Sequence, residues 1–136
     1  MSGLAGILAG HHAPGVYRWH AAFGAADVRH TVEHAGWRFA RVDGVGVEDK
    51  TALMGALGAA VGAPDHYGQN LDAVWDVLRD VDGPMLLLWD EWGPIARADR
   101  DTFDRVTGLL HDRAEQGGLA VLLRGEGPEI DVPSLD

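Results

Sequence analysis

The chain has no cysteine among its 136 residues. That excludes a disulfide framework and a thiolate zinc site, and it agrees with a reducing compartment. Serine is nearly missing as well: Ser2 and Ser134 are the only two. No G-x-S-x-G stretch exists, so a serine nucleophile on a strand-to-helix elbow is excluded. Gly44-Val45-Gly46 lacks the third glycine of a phosphate-cradling loop. No apolar run approaches the roughly 20 residues needed to cross a bilayer. Met1 to Ala13 lacks the positively charged start and sustained apolar core of a secretory signal. A cytoplasmic protein without a membrane partner is the expectation. Basic residues are scarce, 11 Lys and Arg against 21 Asp and Glu, for a net charge of −10. A polyphosphate needs a basic footprint, which argues against nucleic acid as the direct partner. A basic partner, or plain solubility, fits the sign.

What is present is ordinary for a globular domain: 46% hydrophobic and 24% charged residues, enough to build a core and too apolar for disorder. One domain over 1–136 is expected. Residues 1–13 read as a short frayed helix or tail, with the adjacent His11 and His12 in solvent. Val16 to His20 alternates like a strand. Asp27 is a plausible cap for a helix over 28–35, stopped by Gly36. Trp37 to Val42 reads as a second strand. Asp49 caps a helix over 50–62 whose apolar face carries Ala52, Leu53, Ala56, Leu57 and Ala60. The continuous apolar runs 85–89 and 119–123 predict strands buried on both faces. Between them, Asp90 to Arg100 reads as a polar loop with some helical potential. Asp101 can then cap a helix reaching Gln116, with Phe103, Val106, Leu110 and Ala114 inward. Residues 125–136 read as a loose acidic tail. Strands alternating with helices predict an α/β fold, a mostly parallel sheet of about four strands with helices packed around it.

The most informative stretch is Asp65 to Asp80. Leu71, Val74, Trp75 and Leu78 fall at helical spacing and make one apolar face, which assigns Trp75 to the core. Asp72, Asp76 and Asp80 stand four apart on another face. Like charges at that spacing cost an isolated helix about 0.2–0.5 kcal/mol per pair. Asp72 is favoured in the first turn by the helix dipole, and Arg79 can pair with Asp76 at a spacing of three. A binding surface for something positive and a solvated helix face both remain open on these grounds. Elsewhere, His30-Thr31-Val32-Glu33-His34 matches H-x-x-E-H, a zinc metallopeptidase pattern. Solvent-facing helix residues are the simpler reading in so small a chain. The pair Asp90-Glu91, just after a strand, is expected to be a solvated loop.

Tyr67-Gly68-Gln69-Asn70-Leu71-Asp72-Ala73-Val74-Trp75-Asp76 closely resembles the Y-G-x-N-L-D-A-x-W-D signature of the barstar family, intracellular inhibitors of a secreted ribonuclease. The likeness covers about 37–124. The strand and helix within 14–36 look like the addition carried by longer actinomycete members. The resemblance implies a three-layer binding protein with no catalytic residue, cofactor or metal. It implies a monomer that forms a 1:1 complex with a secreted microbial ribonuclease, its carboxylates standing where RNA phosphates would bind. Carried over by position, Asp72 and Asp76 are the main acidic contacts, with Asp76 the phosphate mimic. Gly68 and Asn70 shape the loop, and His66 and Tyr67 lie before it. Asp104 sits where the family has a contacting glutamate, although no strong motif fixes that alignment. Two departures stand out. His66 replaces an aromatic residue, and Asp80-Val81-Asp82 replaces a loop with an exposed tryptophan. Both suggest a different guanyl-specific ribonuclease as target. Two other functions stay open: an immunity or regulatory module for another basic toxin, and a small metal-dependent hydrolase using His30, Glu33 and His34.

Overall fold

The computed structural model describes residues 2–64 and 67–135. Four strands form one sheet: β1 (Val16–Arg18), β2 (Arg38–Asp43), β3 (Met85–Asp90) and β4 (Leu119–Arg124). All neighbours are parallel, in the order β1-β4-β3-β2. The helices are α1 (Ser2–Leu8), α2 (Ala25–His34), α3 (Lys50–Val61), α4 (Leu71–Arg79), α5 (Gly93–Ala98) and α6 (Arg100–Glu115).

The two central strands explain the apolar runs. Leu87, Trp89, Val121 and Leu123 face the core shared with α3–α6, while Leu86, Leu88, Ala120 and Leu122 face a second core under α1 and α2. The layering follows from the path of the chain. Going from β2 to β3 to β4 moves along the sheet in one direction, with α3–α6 on one face. The connection from β1 to β2 runs the other way, so a crossover of the same hand places its helix on the opposite face. Val28 and Val32 of α2 indeed lie in that second core, together with Leu4 and Ile7 of α1. The result is a three-layer α/β fold.

Local signals set several ends correctly. Asp49 accepts the Ala52 amide at 2.8 Å, and Gly62, at φ +70°, closes α3 in the left-handed region that favours glycine. Others are corrected. Gly24, not Asp27, is the N-cap of α2; Asp27 lies inside the first turn, where its charge meets the helix dipole. Asp99, not Asp101, caps α6, accepting from the Thr102 amide at 3.2 Å and the Thr102 hydroxyl at 2.7 Å. Those bonds hold its carboxyl below the usual aspartate value. The buried face of α3 is Leu53, Met54, Leu57 and Gly58 rather than one including Ala52, which is exposed, because α3 packs on both the sheet and α4. Part of the stretch read as a loop is α5, with Pro94 in its first turn.

Both ends of the described chain are also held more firmly than expected. Leu4 and Ile7 are fully buried, so α1 is not frayed. The stretch after β4 is no loose tail: Ile130 is buried, and Val132 and Leu135 pack on opposite faces of the sheet. The Arg18 amide donates to the Pro133 carbonyl and the Leu135 amide to the Arg18 carbonyl, each at 2.8 Å. Residues 133–135 thereby run alongside β1.

Candidate functional site

Helix α4 forms a ridge on the outer surface of the α3–α6 layer. Asn70 starts it: its side-chain oxygen accepts the Ala73 amide at 2.8 Å, and its Nδ2 lies 3.4 Å from the Gly68 carbonyl. One side chain therefore caps the helix and ties down the loop before it. Gln69, between them, has φ +50°, an uncommon conformation for a residue with a Cβ. Val74 and Leu78 anchor the ridge in the core.

The carboxylate stripe does not point in one direction. Each step of four residues turns the stripe by about 40° around the helix. Asp72 accordingly lines a shallow hollow of about 550 Å³ toward α6, together with Trp75, Asp104, Leu109 and Asp112. Asp76 and Asp80 line a hollow of about 470 Å³ on the α3 side, with Tyr67, Gly68 and Val81. The structure thus gathers Tyr67, Gly68 and Asp76 on one flank of the ridge, and Asp72 and Asp104 on the other, with Asn70 at its head. His66 lies outside the described residues.

Trp75 corrects an expectation. It is half-buried and lines the α6-side hollow instead of belonging to the core. Asp112 was missed; it stands eight residues after Asp104 on α6 and lines the same hollow. Tyr67 packs its ring against α3 at Gly58, where an added Cβ would sit 2.7 Å from the ring. Its hydroxyl is buried without a hydrogen-bond partner among the described residues. Burial raises its pKa above the ordinary tyrosine value.

The acidic groups also differ in their own counter-ions. Asp76 has Arg79 Nη1 at 3.4 Å, and Asp104 has Arg100 Nε at 2.9 Å. Asp72 has no ion-pair partner among the described residues.

The other candidates resolve differently. His30 and His34 stack on the exposed side of α2, ring centroids 6.0 Å apart, and Glu33 pairs with Arg29 at 3.8 Å. No cluster of three or more His, Cys, Asp or Glu suited to a metal occurs among the described residues. Asp90 is not solvated: it is 7% exposed. It faces its register partner Arg124 across β3 and β4, with contacts of 2.6 and 3.1 Å, and receives Arg41 Nε at 2.9 Å. Glu91 is exposed. Around this network the loops after the strands touch backbone to backbone. A Cβ on Gly44 would be driven into the Glu91 carbonyl, and one on Gly93 into the Glu126 carbonyl. Open α/β sheets usually hold ligands at this carboxyl end. The approaches at Gly44 and Gly93 close part of that end, beside a hollow of about 360 Å³ lined by Arg18, His20 and Trp92.

Fold and site together describe a small α/β domain that presents a capped acidic helix. The model of the barstar (barnase inhibitor) family matches residues 37–130. This chain therefore belongs to the barstar family, a family of ribonuclease-binding inhibitors. The match runs past β4 to the buried Ile130. A chain in the structure of Drosophila ORC bound to DNA is similar in fold, with a TM-score of 0.59 and 20% identity. The alignment covers 90% of this chain and 36% of that one, and at this identity the likeness is one of fold alone. No curated protein matches the chain.

Proposed function

We propose that this protein acts inside the cell as an inhibitor of a secreted microbial guanyl-specific ribonuclease, binding it one to one and plugging its active site. The α4 ridge enters the cleft that holds RNA. Asp76, helped by Asp72, faces the cations that would otherwise grip phosphate. Tyr67, Gly68 and His66 meet one wall of the cleft, and Asp104 with Trp75 the other. The supporting observation is the ridge itself: both carboxylates are exposed on a helix fixed at its head by Asn70 and along its length by the core. A polyanion-binding cleft is basic, so a fixed array of carboxylates competes with RNA and steers association.

Titrating the protein into assays of a panel of secreted guanyl-specific ribonucleases, barnase among them, tests this. Inhibition should be stoichiometric and weaken with salt. Asp76→Ala should raise the inhibition constant by about tenfold or more, some 1.4 kcal/mol or above. No inhibition, or an Asp76→Ala variant as good as the parent, defeats the proposal. A second reading keeps the binding mode and changes the partner to another basic toxin. Asp80 and Val81, bordering the α3-side hollow where relatives carry a tryptophan, favour it. A pull-down from the secretome of the source cells separates the two.

A further inference from the structure

We infer that Arg79 is a counter-ion built into the ridge, one that a partner's cation must displace from Asp76 while Asp80 retains it. This deepens the ribonuclease-blocking reading and rests on it. Arg79 Nη1 lies 3.4 Å from Asp76 Oδ1, and its Nε lies 3.4 Å from Asp80 Oδ1. One guanidinium thus bridges two carboxylates at the C-terminal end of α4, on the flank where both line the α3-side hollow. All three side chains are well exposed, at 58%, 59% and 72% for Arg79, Asp76 and Asp80. The bridge is therefore weak enough to exchange. Asp72, one turn earlier, has no such competitor among the described residues.

The two carboxylates of the ridge are consequently unequal. Asp72 is available to any cation that reaches it. Asp76 is partly neutralised until something better placed replaces Arg79. A guanidinium presents donors on several edges, so it can release Asp76 through Nη1 and stay on Asp80 through Nε. Displacement then leaves no unpaired charge. A partner with a single well-positioned cation succeeds. A partner whose basic patch continues toward Asp80 meets Arg79 as a like charge. Arg79 thereby acts as a specificity-determining residue by repulsion as well as by competition.

The test is a set of dissociation constants, for the guanyl-specific ribonuclease of the panel that binds most tightly, with the full chain and five variants. These are Arg79→Gln, Asp80→Asn, the two combined, Asp76→Ala and Arg29→Gln. The last makes the same change in net charge from α2, on the opposite face of the sheet. Arg79→Gln should tighten binding about two- to fivefold beyond Arg29→Gln, the range expected for freeing a carboxylate from one exposed ion pair. Asp80→Asn should weaken binding more in the parent than in the Arg79→Gln background, because without Asp80 the guanidinium settles on Asp76. The inference is overturned if Arg79→Gln does no more than Arg29→Gln, or if Asp80→Asn acts equally in both backgrounds. If Asp76→Ala weakens binding but Arg79→Gln does not tighten it, only this inference falls. If no ribonuclease of the panel is bound, or Asp76→Ala changes nothing, the ribonuclease reading falls and takes the inference with it.

Discussion

Asp90→Ala should be among the most destabilising single substitutions in this fold. The carboxylate is 7% exposed and accepts three contacts, two from Arg124 at 2.6 and 3.1 Å and one from Arg41 at 2.9 Å. Removing one member of a buried charge pair leaves the other uncompensated, at a general cost of about 3–5 kcal/mol. Two features place this case near the lower end. Arg124 still donates to the carbonyls of Ala21 and Phe23, and its guanidinium lies 5.6 Å from the Trp19 ring. Arg41, at 36% exposed, can return to water and contributes little. The expected loss is about 3 kcal/mol, a substantial share of the roughly 5–15 kcal/mol typical of a whole domain. The midpoint of thermal unfolding should fall by about 10 °C or more. Urea denaturation of the parent, Asp90→Ala and Asp90→Leu/Arg124→Met provides the measurement. The double variant should lose less than Asp90→Ala, because it removes both charges and fills the space with apolar atoms. A cost under about 1 kcal/mol for Asp90→Ala, or a double variant worse than the single, would refute the picture of a buried charge hub.

Two more perturbations probe the ridge. Asn70→Ala removes the cap of α4 and the tie to Gly68, and should cost about 1 kcal/mol in urea denaturation; hydrogen exchange should rise in the first turn of α4 while α6 is unaffected. Tyr67→Phe should leave stability at neutral pH unchanged or raise it by up to about 1 kcal/mol, because it deletes a buried hydroxyl that has no hydrogen-bond partner among the described residues. Its pH dependence has a definite sign. Burial raises the folded-state pKa, so the stabilisation tied to the neutral phenol is present below the ordinary tyrosine value of about 10 and is lost as pH climbs through the raised value. The phenylalanine variant should lack that alkaline loss in a denaturation series from pH 8 to about 11. A loss above about 1 kcal/mol at neutral pH would mean that the hydroxyl has a partner.

The parts of this molecule that could be read from the sequence are those whose causes are local. The Asp49 cap, the glycine stop at Gly62, the two-sided strands and the three-residue spacing of Asp76 and Arg79 all lie within a few residues of their effects. What escaped depends on register and packing between distant segments. Asp90 looks like a loop carboxylate until β3 and β4 are aligned and Arg124, 34 positions later, falls opposite it. Leu4 and Ile7 look like part of a fraying end until the exposed face of the sheet requires a cover. Trp75 fits an apolar stripe, but α6 leaves a hollow beside it. The turn of about 40° between Asp72 and Asp76 follows from helix geometry, but that it puts them on two flanks depends on where α3 and α6 pack.

Residues 133–135 lie beside β1 and occupy hydrogen-bonding groups on the outer side of Arg18. Exposed sheet edges are templates for pairing with other chains. Among the described residues, only β2 presents a continuous open edge, and it carries the exposed Arg38 and Arg41. A fibril built by strand addition needs two vacant edges on every molecule, one to accept and one to offer. A chain with one such edge can form at most a pair before growth stops. The strap along β1 takes up the outer groups of Arg18 and so leaves β2 as the one continuous edge open to such growth among the described residues.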